Sequence, residues 1–525
     1  LTTLTTNDSN AGSIYSLPAD LDLLKLEERL QERFELRRRS PARRSLDFYD
    51  SFEWTLWHRG ELLCRDGSQL GLFTRSGGWL QDVRSSMPYP RKAADLRDPN
   101  DLPSHPLADT LQKRLGLRGL LKLCSFQESR QEIELLDDSR KVVFRLDWID
   151  LRSSEGKRNY TLCDLRPLRG YEQSAETALQ LLLESGLAPI DHSPLEQELE
   201  TRGTPPRVYS LKPSFDLQPD LPAREAVCLI LQRMLELARE NEVGVLEDID
   251  TEFLHDYRVC LRKMRSIISL VKGVFPEAQT EKVKRTLAAL ASRTNRLRDL
   301  DVYLLEQEKL LETLPESLRP GLAHMFDDFR REREKELRAV RRHLQSASTA
   351  KHLAWLEHFL SSASTLTESA NSKAPIAALV FARTHKRYKR IRRIAADMHA
   401  DTPDEEIHEL RIHCKKLRYM LEFFAELLPS EQLPPRLKAL KKLQGGLGTF
   451  NDSSVQQISL LEYVEKSHKR ERADQDLPLS LSIGALLGIL YQRQQAQRDR
   501  IFADLAEFGS EESAAAFKTL FQNPS

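Results

Sequence analysis

The sequence predicts two domains of different class. Residues 1–187 are expected to form an α+β domain with a divergent antiparallel, tunnel- or barrel-like sheet, and residues 222–525 an all-α domain of two pseudo-symmetric four-helix bundles. Three observations lead there. Short, partly alternating apolar segments separated by turn residues fill the first part; prolines crowd residues 188–221; beyond them the apolar period lengthens to about 3.6 residues. A chain of 525 residues is long enough to bury two or three cores.

In chain order, Asp20 to Arg33 carries helical periodicity. "SLDFYDSFEWTLWHRGELLCRDG" and "RQEIELLDDSRKVVFRLDWIDL" then place aromatic and β-branched residues between DG, GG and DDS turns, as antiparallel strands do. Tyr171 to Ser185 is a second helical patch. "APIDHSP", "TRGTPPRVYSLKPS" and "QPDLPAR" repeat proline every few residues and read as a linker. After it, Pro276, Pro315, Pro375, Pro403, Pro429 and Pro434 punctuate helices. The longest apolar run, Leu477 to Tyr491, falls short of the roughly 20 residues that cross a bilayer, so a buried helix is expected there.

The formal net charge is zero with 30% charged residues, which disfavours a globally basic nucleic-acid binder and leaves electrostatic function to local clusters. Cys64, Cys124, Cys163, Cys228, Cys260 and Cys414 are scattered, with no CxxC, so neither a zinc site nor a disulfide framework is expected. "LTTLTTNDSNAGS" has no basic n-region and no apolar h-region. The expectation is a cytoplasmic chain without a membrane partner.

An internal repeat organises the helical half. Laying His255 on His408 aligns HDYRVCLRKMR with HELRIHCKKLR, and the shift of 153 residues also superposes Pro276 on Pro429 and Asp299 on Asp452. The half therefore reads as two copies of one multi-helix unit, about 222–370 and 375–525. On a helix, His255, Arg258, Arg262 and Arg265 share an arc of roughly 80°, opposite Leu254, Leu261, Met264, Ile267, Ile268 and Val271. His408, Arg411, Lys415 and Arg418 repeat this opposite Ile407, Leu410, Leu417, Met420 and Phe424. Solvated helix faces mix signs, because like charges at i,i+4 repel; both stripes are nearly free of acids for three turns. Pro375 to Ala396 adds seven lysines and arginines without an acid, among them Arg383, Arg387 and Arg390. An anion would relieve the repulsion.

No carboxylate or cysteine stands where it would make His255 or His408 a convincing metal ligand or catalytic base. No metal, cofactor or catalytic residue is expected, and the histidines serve either packing or, protonated beside a polyanion, binding. No Walker-type loop is present for a small phosphate ester, and no aromatics interleave the cations as single-stranded nucleic acid would want. Two ladders of arginine and lysine match a long, featureless chain of phosphates.

The repeated HxxR(V/I)xx(R/K)(R/K)xR helices, their spacing and the following (R/N)D resemble the CHAD domain, the conserved histidine α-helical domain, from about Pro222 onward. The resemblance implies two four-helix bundles about a pseudo-twofold axis with a basic cavity or groove for inorganic polyphosphate. Its motif residues here are His255, Arg258, Arg262, Lys263 and Arg265, and His408, Arg411, Lys415, Lys416 and Arg418. The N-terminal part is similar to a degenerate CYTH domain, the triphosphate tunnel fold that often precedes CHAD. "LDFYDSFEWTLWHRGELLCRDG" resembles its tyrosine-aspartate strand, and "YTLCDLRPLRGYEQSAETALQLLLESGL" its late strand and closing helix. The family's ExExK signature for metal and phosphate has no match before Ser45, where Glu32 and Glu35 stand at another spacing, and Asp164, Leu165, Arg166 leave one carboxylate where metal wants several. The expectation is a non-catalytic polyphosphate-binding protein associated with polyphosphate granules. The alternatives are a metal-dependent triphosphatase or polyphosphatase acting through the N-terminal domain, and an RNA-binding helical protein.

Overall fold

The computed structural model describes residues 13–17, 21, 23–76, 79–89, 96–154, 158–190, 193–399, 401–468 and 473–520. The chain divides into two units, Leu1–Ser210 and Leu211–Ser525.

The first unit is built on an antiparallel sheet of β1 (Ser13–Ser16), β2 (Glu35–Arg38), β3 (Ala42–Ser51), β4 (Glu61–Asp66), β5 (Gln69–Ser76), β6 (Trp79–Pro88), β7 (Leu120–Leu136), β8 (Val142–Ser153), β9 (Asn159–Pro167) and β10 (Ala188–Pro189). Their spatial order is β10-β1-β9-β8-β7-β3-β4-β5-β6. The long β7 carries β3 along its first part and β2 along its last. Strand alternation sorts the side chains onto two faces. On one, Ile133, Leu135, Leu146, Trp148 and Leu165 pack under α1 (Leu23–Gln31) and α3 (Glu172–Glu184). On the other, Leu46, Phe48, Cys64, Phe126, Ile149 and Leu162 meet Trp54, Trp57 and Trp79, and α4 (Pro194–Thr201) adds Leu195 and Leu199. A further cluster seats α2 (Pro106–Leu115) against Tyr49, Leu63, Leu70 and Leu72.

The expected helices at 20–33 and 171–185 are thus α1 and α3. The stretch read as a linker holds β10 and α4, and the division between units falls after Ser210. All six cysteines are buried free thiols.

The second unit is helical: α5 (Ala223–Glu247), α6 (Thr251–Leu270), α7 (Glu277–Ser292), α8 (Asn295–Leu305), α9 (Gln307–Glu312), α10 (Arg319–Leu344), α11 (Ala347–Ser361), α12 (Ile376–Asp397), α13 (Asp404–Phe423), α14 (Leu433–His468), α15 (Ala473–Gly509) and α16 (Glu511–Leu520). Pro276, Pro375 and Pro403 sit at the N-caps of α7, α12 and α13, where a missing N–H costs nothing. The shift of 153 maps both ends of α6 onto those of α13 and the start of α5 onto that of α12. Hydrogen bonds obey the same relation. Ala223 N donates to Ala374 O at 2.9 Å, and its equivalent Ile376 N donates to Leu221 O at 3.0 Å, about an antiparallel bridge of Pro222 with Pro375. Such reciprocity is what a twofold axis produces. The copies differ where α7 and α8 break at Arg293 and Thr294, while α14 runs unbroken through the equivalent positions.

The repeats share a core in which Leu300, Leu322, Phe326 and Phe329 of the first meet Leu460, Ile483, Leu486 and Leu490 of the second. The Leu477 to Tyr491 run, expected to be a buried helix, lies in α15 and buries one stripe of it. Leu477, Leu481 and Tyr491 are exposed, because only every third or fourth residue of a helix reaches the core. No helix among the described residues is long and apolar enough to cross a membrane.

At Gly321 the backbone of α10 approaches α15 closely: a Cβ there would lie 2.3 Å from Pro478 O and 2.2 Å from Ser482 Oγ. Gly321→Ala is therefore expected to destabilise the helical unit by about 1–3 kcal/mol through overpacking. Chemical denaturation would check this.

Candidate functional site

The N-terminus of α6 is fixed by Asp250, whose side chain accepts from Glu252 N at 2.8 Å and Phe253 N at 3.2 Å. α13 opens with Asp404, Glu405 and Glu406, favourable against the helix dipole. Both helices bury the apolar residues read from sequence, from Leu254 to Val271 and from Ile407 to Phe424. That anchoring fixes the rotation of each helix and hence the direction of its cations. Arg258, Arg411, Lys415 and Arg418 are half-buried; Arg262 and Arg265 are exposed.

The two ladders meet, since α6 packs against α13. Arg262 lies within electrostatic reach of Arg411 and Lys415 on the other helix. Burial, reinforced by Arg411 and Arg262 and opposed by Asp452, pushes the Lys415 ammonium down to about 8. Arg411 is pushed down by burial and by Arg262, against the pull of Asp452, and Arg258 by burial and by Arg262, against the pull of Asp299.

Neutralisation is confined to the edges. Arg411 is 3.6 Å from Asp452, Arg418 is 3.7 Å from Glu422, and Arg258 donates to Thr294 Oγ1 and Asn295 Oδ1, each at 2.7 Å. The exposed His408 donates from Nδ1 to Asn451 Oδ1 at 2.5 Å. Among the described residues, no carboxylate lies within 4.0 Å of Arg262, Arg265 or Lys415.

Other residues named from sequence are deployed differently. Lys263 is 5% exposed, donates to Leu211 O at 2.5 Å and lies 5.6 Å from the centre of the Phe423 ring, away from the shared face. Lys416 is half-buried beside Arg387 and Lys272. Arg387 of α12 donates to His413 Nδ1 at 2.9 Å while His413 Nε2 donates to Glu409 at 3.3 Å, which requires a neutral imidazole with its proton on Nε2. Burial and then Arg387 push the His413 pKa down, as that tautomer needs. Arg390 is 3.4 Å from Glu409, and Arg383 is half-buried one turn before Arg387. His255 brings its ring within 4.8 Å of Glu252 and Asp256, a grouping of metal-ligand type that spacing did not suggest. His413 and Lys272 are also additions: their roles depend on packing by α12 and on the end of α6.

In the first unit, the apolar plug gives way along the same sheet face to a charged lattice. Glu134 pairs with Arg37, Arg39 and Arg145; Glu128 with Arg44 and Arg130; Asp147 with Arg130 and Arg166. Glu132 reaches Arg39 and Arg166, Asp164 lies near Arg130 and Arg166, and Asp66 binds Arg44. Six carboxylates thus meet six guanidiniums. At the spacing of the ExExK signature, β2 and the residue after it offer Glu35, Arg37 and Arg39, two cations after the first carboxylate. With an arginine within 4.0 Å of each of them, the six carboxylates of the lattice do not form the net negative oxygen cage that a divalent cation takes.

A family model for the CHAD domain matches residues 229–461. The helical unit carries a CHAD domain. The match runs from α5 into α14 and contains both motif helices. Among solved structures, the chain is similar to the crystal structure of the CHAD domain from the plant Ricinus communis, at 28% identity over 56% of this chain and 95% of that one, with a TM-score of 0.47. It is also similar to PptA from Streptomyces chartreusis, at 14% identity over 55% of this chain and 99% of that one, with a TM-score of 0.40. No curated protein matches the chain.

The CHAD cation cluster has a measurable signature. Because the Lys415 pKa lies below its ordinary 10.5, protonation opposes folding: the penalty is full below about 8 and fades as pH rises toward 10.5. Lys415→Met is expected to raise the melting temperature at pH 7 and to leave it nearly unchanged at pH 10, as calorimetry at the two pH values would show.

Proposed function

We propose that the helical unit binds inorganic polyphosphate, without catalysis, in a basic groove between α6 and α13. The observation that supports this is the facing of Arg262 by Arg411 and Lys415, with no carboxylate within 4.0 Å of Arg262 or Lys415 among the described residues. Such a cluster stores repulsion that a polyanion releases. Arg258, Arg262, Arg265, Arg411, Lys415 and Arg418 form the central set, with His255 and His408 at its margins and Lys416, Arg383, Arg387 and Arg390 along the α12 flank. Lys263 is left to packing, because its ammonium is already satisfied by a carbonyl. The span from Arg258 to Arg265 is about 10 Å of helix, which suits successive phosphates of one polymer better than one small ester. On this reading the chain co-localises with polyphosphate granules.

The first unit does not serve hydrolysis on this reading, since its lattice of arginines and carboxylates leaves no net negative site for a metal. Sustained release of orthophosphate from tripolyphosphate with Mg²⁺ or Mn²⁺ would instead assign it a triphosphatase activity. RNA is the competing ligand, and displacement of one polymer by the other at fixed salt separates them.

Replacing Arg258, Arg262, Arg411 and Lys415 together by alanine is expected to abolish polyphosphate binding while the circular dichroism spectrum stays helical; retained affinity would remove the groove from consideration. Bound polymer favours protonated Lys415, so the wild-type affinity is expected to fall as pH rises through about 8, and this dependence to flatten in Lys415→Arg. Titration calorimetry across that range measures both.

A further inference from the structure

The pseudo-twofold axis makes Lys263 and Lys416 the same position of the repeat, yet the two ends of the cation cluster are built differently. At the Lys263 end, residues 211–217 are pinned across the end of α13. Ser214 Oγ, Phe215 N and Leu217 N donate to the Glu426 carboxylate at 2.7, 2.7 and 2.9 Å, Lys212 is 3.6 Å from Glu422, and the Phe215 and Phe423 rings are 6.4 Å apart. Leu211 O takes the Lys263 ammonium.

At the Lys416 end residues 369–371 likewise cross the end of α6, Ser369 Oγ donating to Val274 O at 2.8 Å and Asn371 Nδ2 to Lys272 O at 2.7 Å, but the carboxylate and the ring that close the other end are missing. The positions equivalent to Glu422 and Phe423 are Ser269 and Leu270, so the acid and the aromatic lid are absent. Arg387 and Lys272 stand where the first end has Met234 and Ala425. Lys272 is exposed, Lys416 and Arg387 are half-buried, and among the described residues no hydrogen bond holds the Lys416 ammonium. The charges follow: Lys212 and Lys263 are offset by Glu422 at one end, whereas Lys272, Arg387 and Lys416 stand together at the other, where Glu409 is taken up by Arg390 and His413.

We propose that the groove is open at one end only, so that a polyphosphate chain held at Arg262 and Lys415 leaves past Lys416 over Arg387 and Lys272 and is shut out at the Lys263 end. This rests on the polyphosphate reading above. It makes Lys272, Arg387 and Lys416 an added subsite for longer chains and gives the polymer a single direction of exit.

The mirror-related pair Lys272→Glu and Ala425→Glu tests it, because both substitutions put the same charge at the same place in the repeat, one at each end. Titration calorimetry of the full chain with long-chain polyphosphate is expected to show about a tenfold loss of affinity for Lys272→Glu and less than about a twofold loss for Ala425→Glu, in line with removal of one phosphate contact plus repulsion. Tripolyphosphate, held at the centre, is expected to be little affected by either. Equal losses for the pair with long chains would overturn the one-sided exit while leaving the central site standing. Unchanged long-chain binding in Arg262→Ala/Arg411→Ala/Lys415→Ala would overturn the underlying reading itself, whatever the pair shows.

Discussion

A twofold axis sets the positions nearest to it against their own copies, and the centre of the helical unit is governed by that rule. Pro222 pairs with Pro375, and Arg262 faces Lys415, its own equivalent. Because α6 and α13 pack against each other near that axis, the cations on their non-core faces point at one another. Two remedies exist: acids from neighbouring segments, or an anion from outside. Among the described residues, acids reach the cluster at its edges, through Asp299, Asp452 and Glu422, and none lies within 4.0 Å of Arg262 or Lys415 nearest the axis.

The first unit contains similar chemistry with the opposite outcome. Its arginines also lie side by side on one surface, but strand neighbours at a spacing of about 4.8 Å let each guanidinium reach a carboxylate on an adjoining strand. Arg130 alone bridges Glu128, Asp147 and Asp164. The tryptophan-rich plug of Trp54, Trp57 and Trp79 fills the rest of that face. That surface balances its own charge. One chain thus holds a compensated and an uncompensated set of arginines.

Much of this was legible in the sequence because the relevant signals are local and periodic. The apolar stripes of α6 and α13 had to be buried, so the opposite arc had to carry the cations, and the shift of 153 residues fixed which helices correspond. Lys263 shows where adjacency in sequence misleads. It lies about 100° from Arg262, and its place was decided by a carbonyl 52 residues away. The Arg387–His413 contact was equally invisible, depending on how α12 packs against α13. Two helices were missed although their caps were present: α4 begins with a capping box of Ser193 and Glu196 and Pro194 at its first turn, and α2 with His105 ahead of Pro106. Proline crowding masked both.

The core shared by α8, α10, α14 and α15 has a temporal side. Phe326 and Phe329 find their partners among Leu460, Ile483 and Leu486, well over a hundred residues further along. During synthesis the first repeat would emerge with that apolar flank bare and would stay so until α15 had cleared the ribosome. Closure at such long range is slow, and an uncovered flank of phenylalanine and leucine is the kind of surface that chaperones hold. Duplication therefore gave the chain a symmetric cluster of charge at the cost of an assembly in which neither half matures before the other.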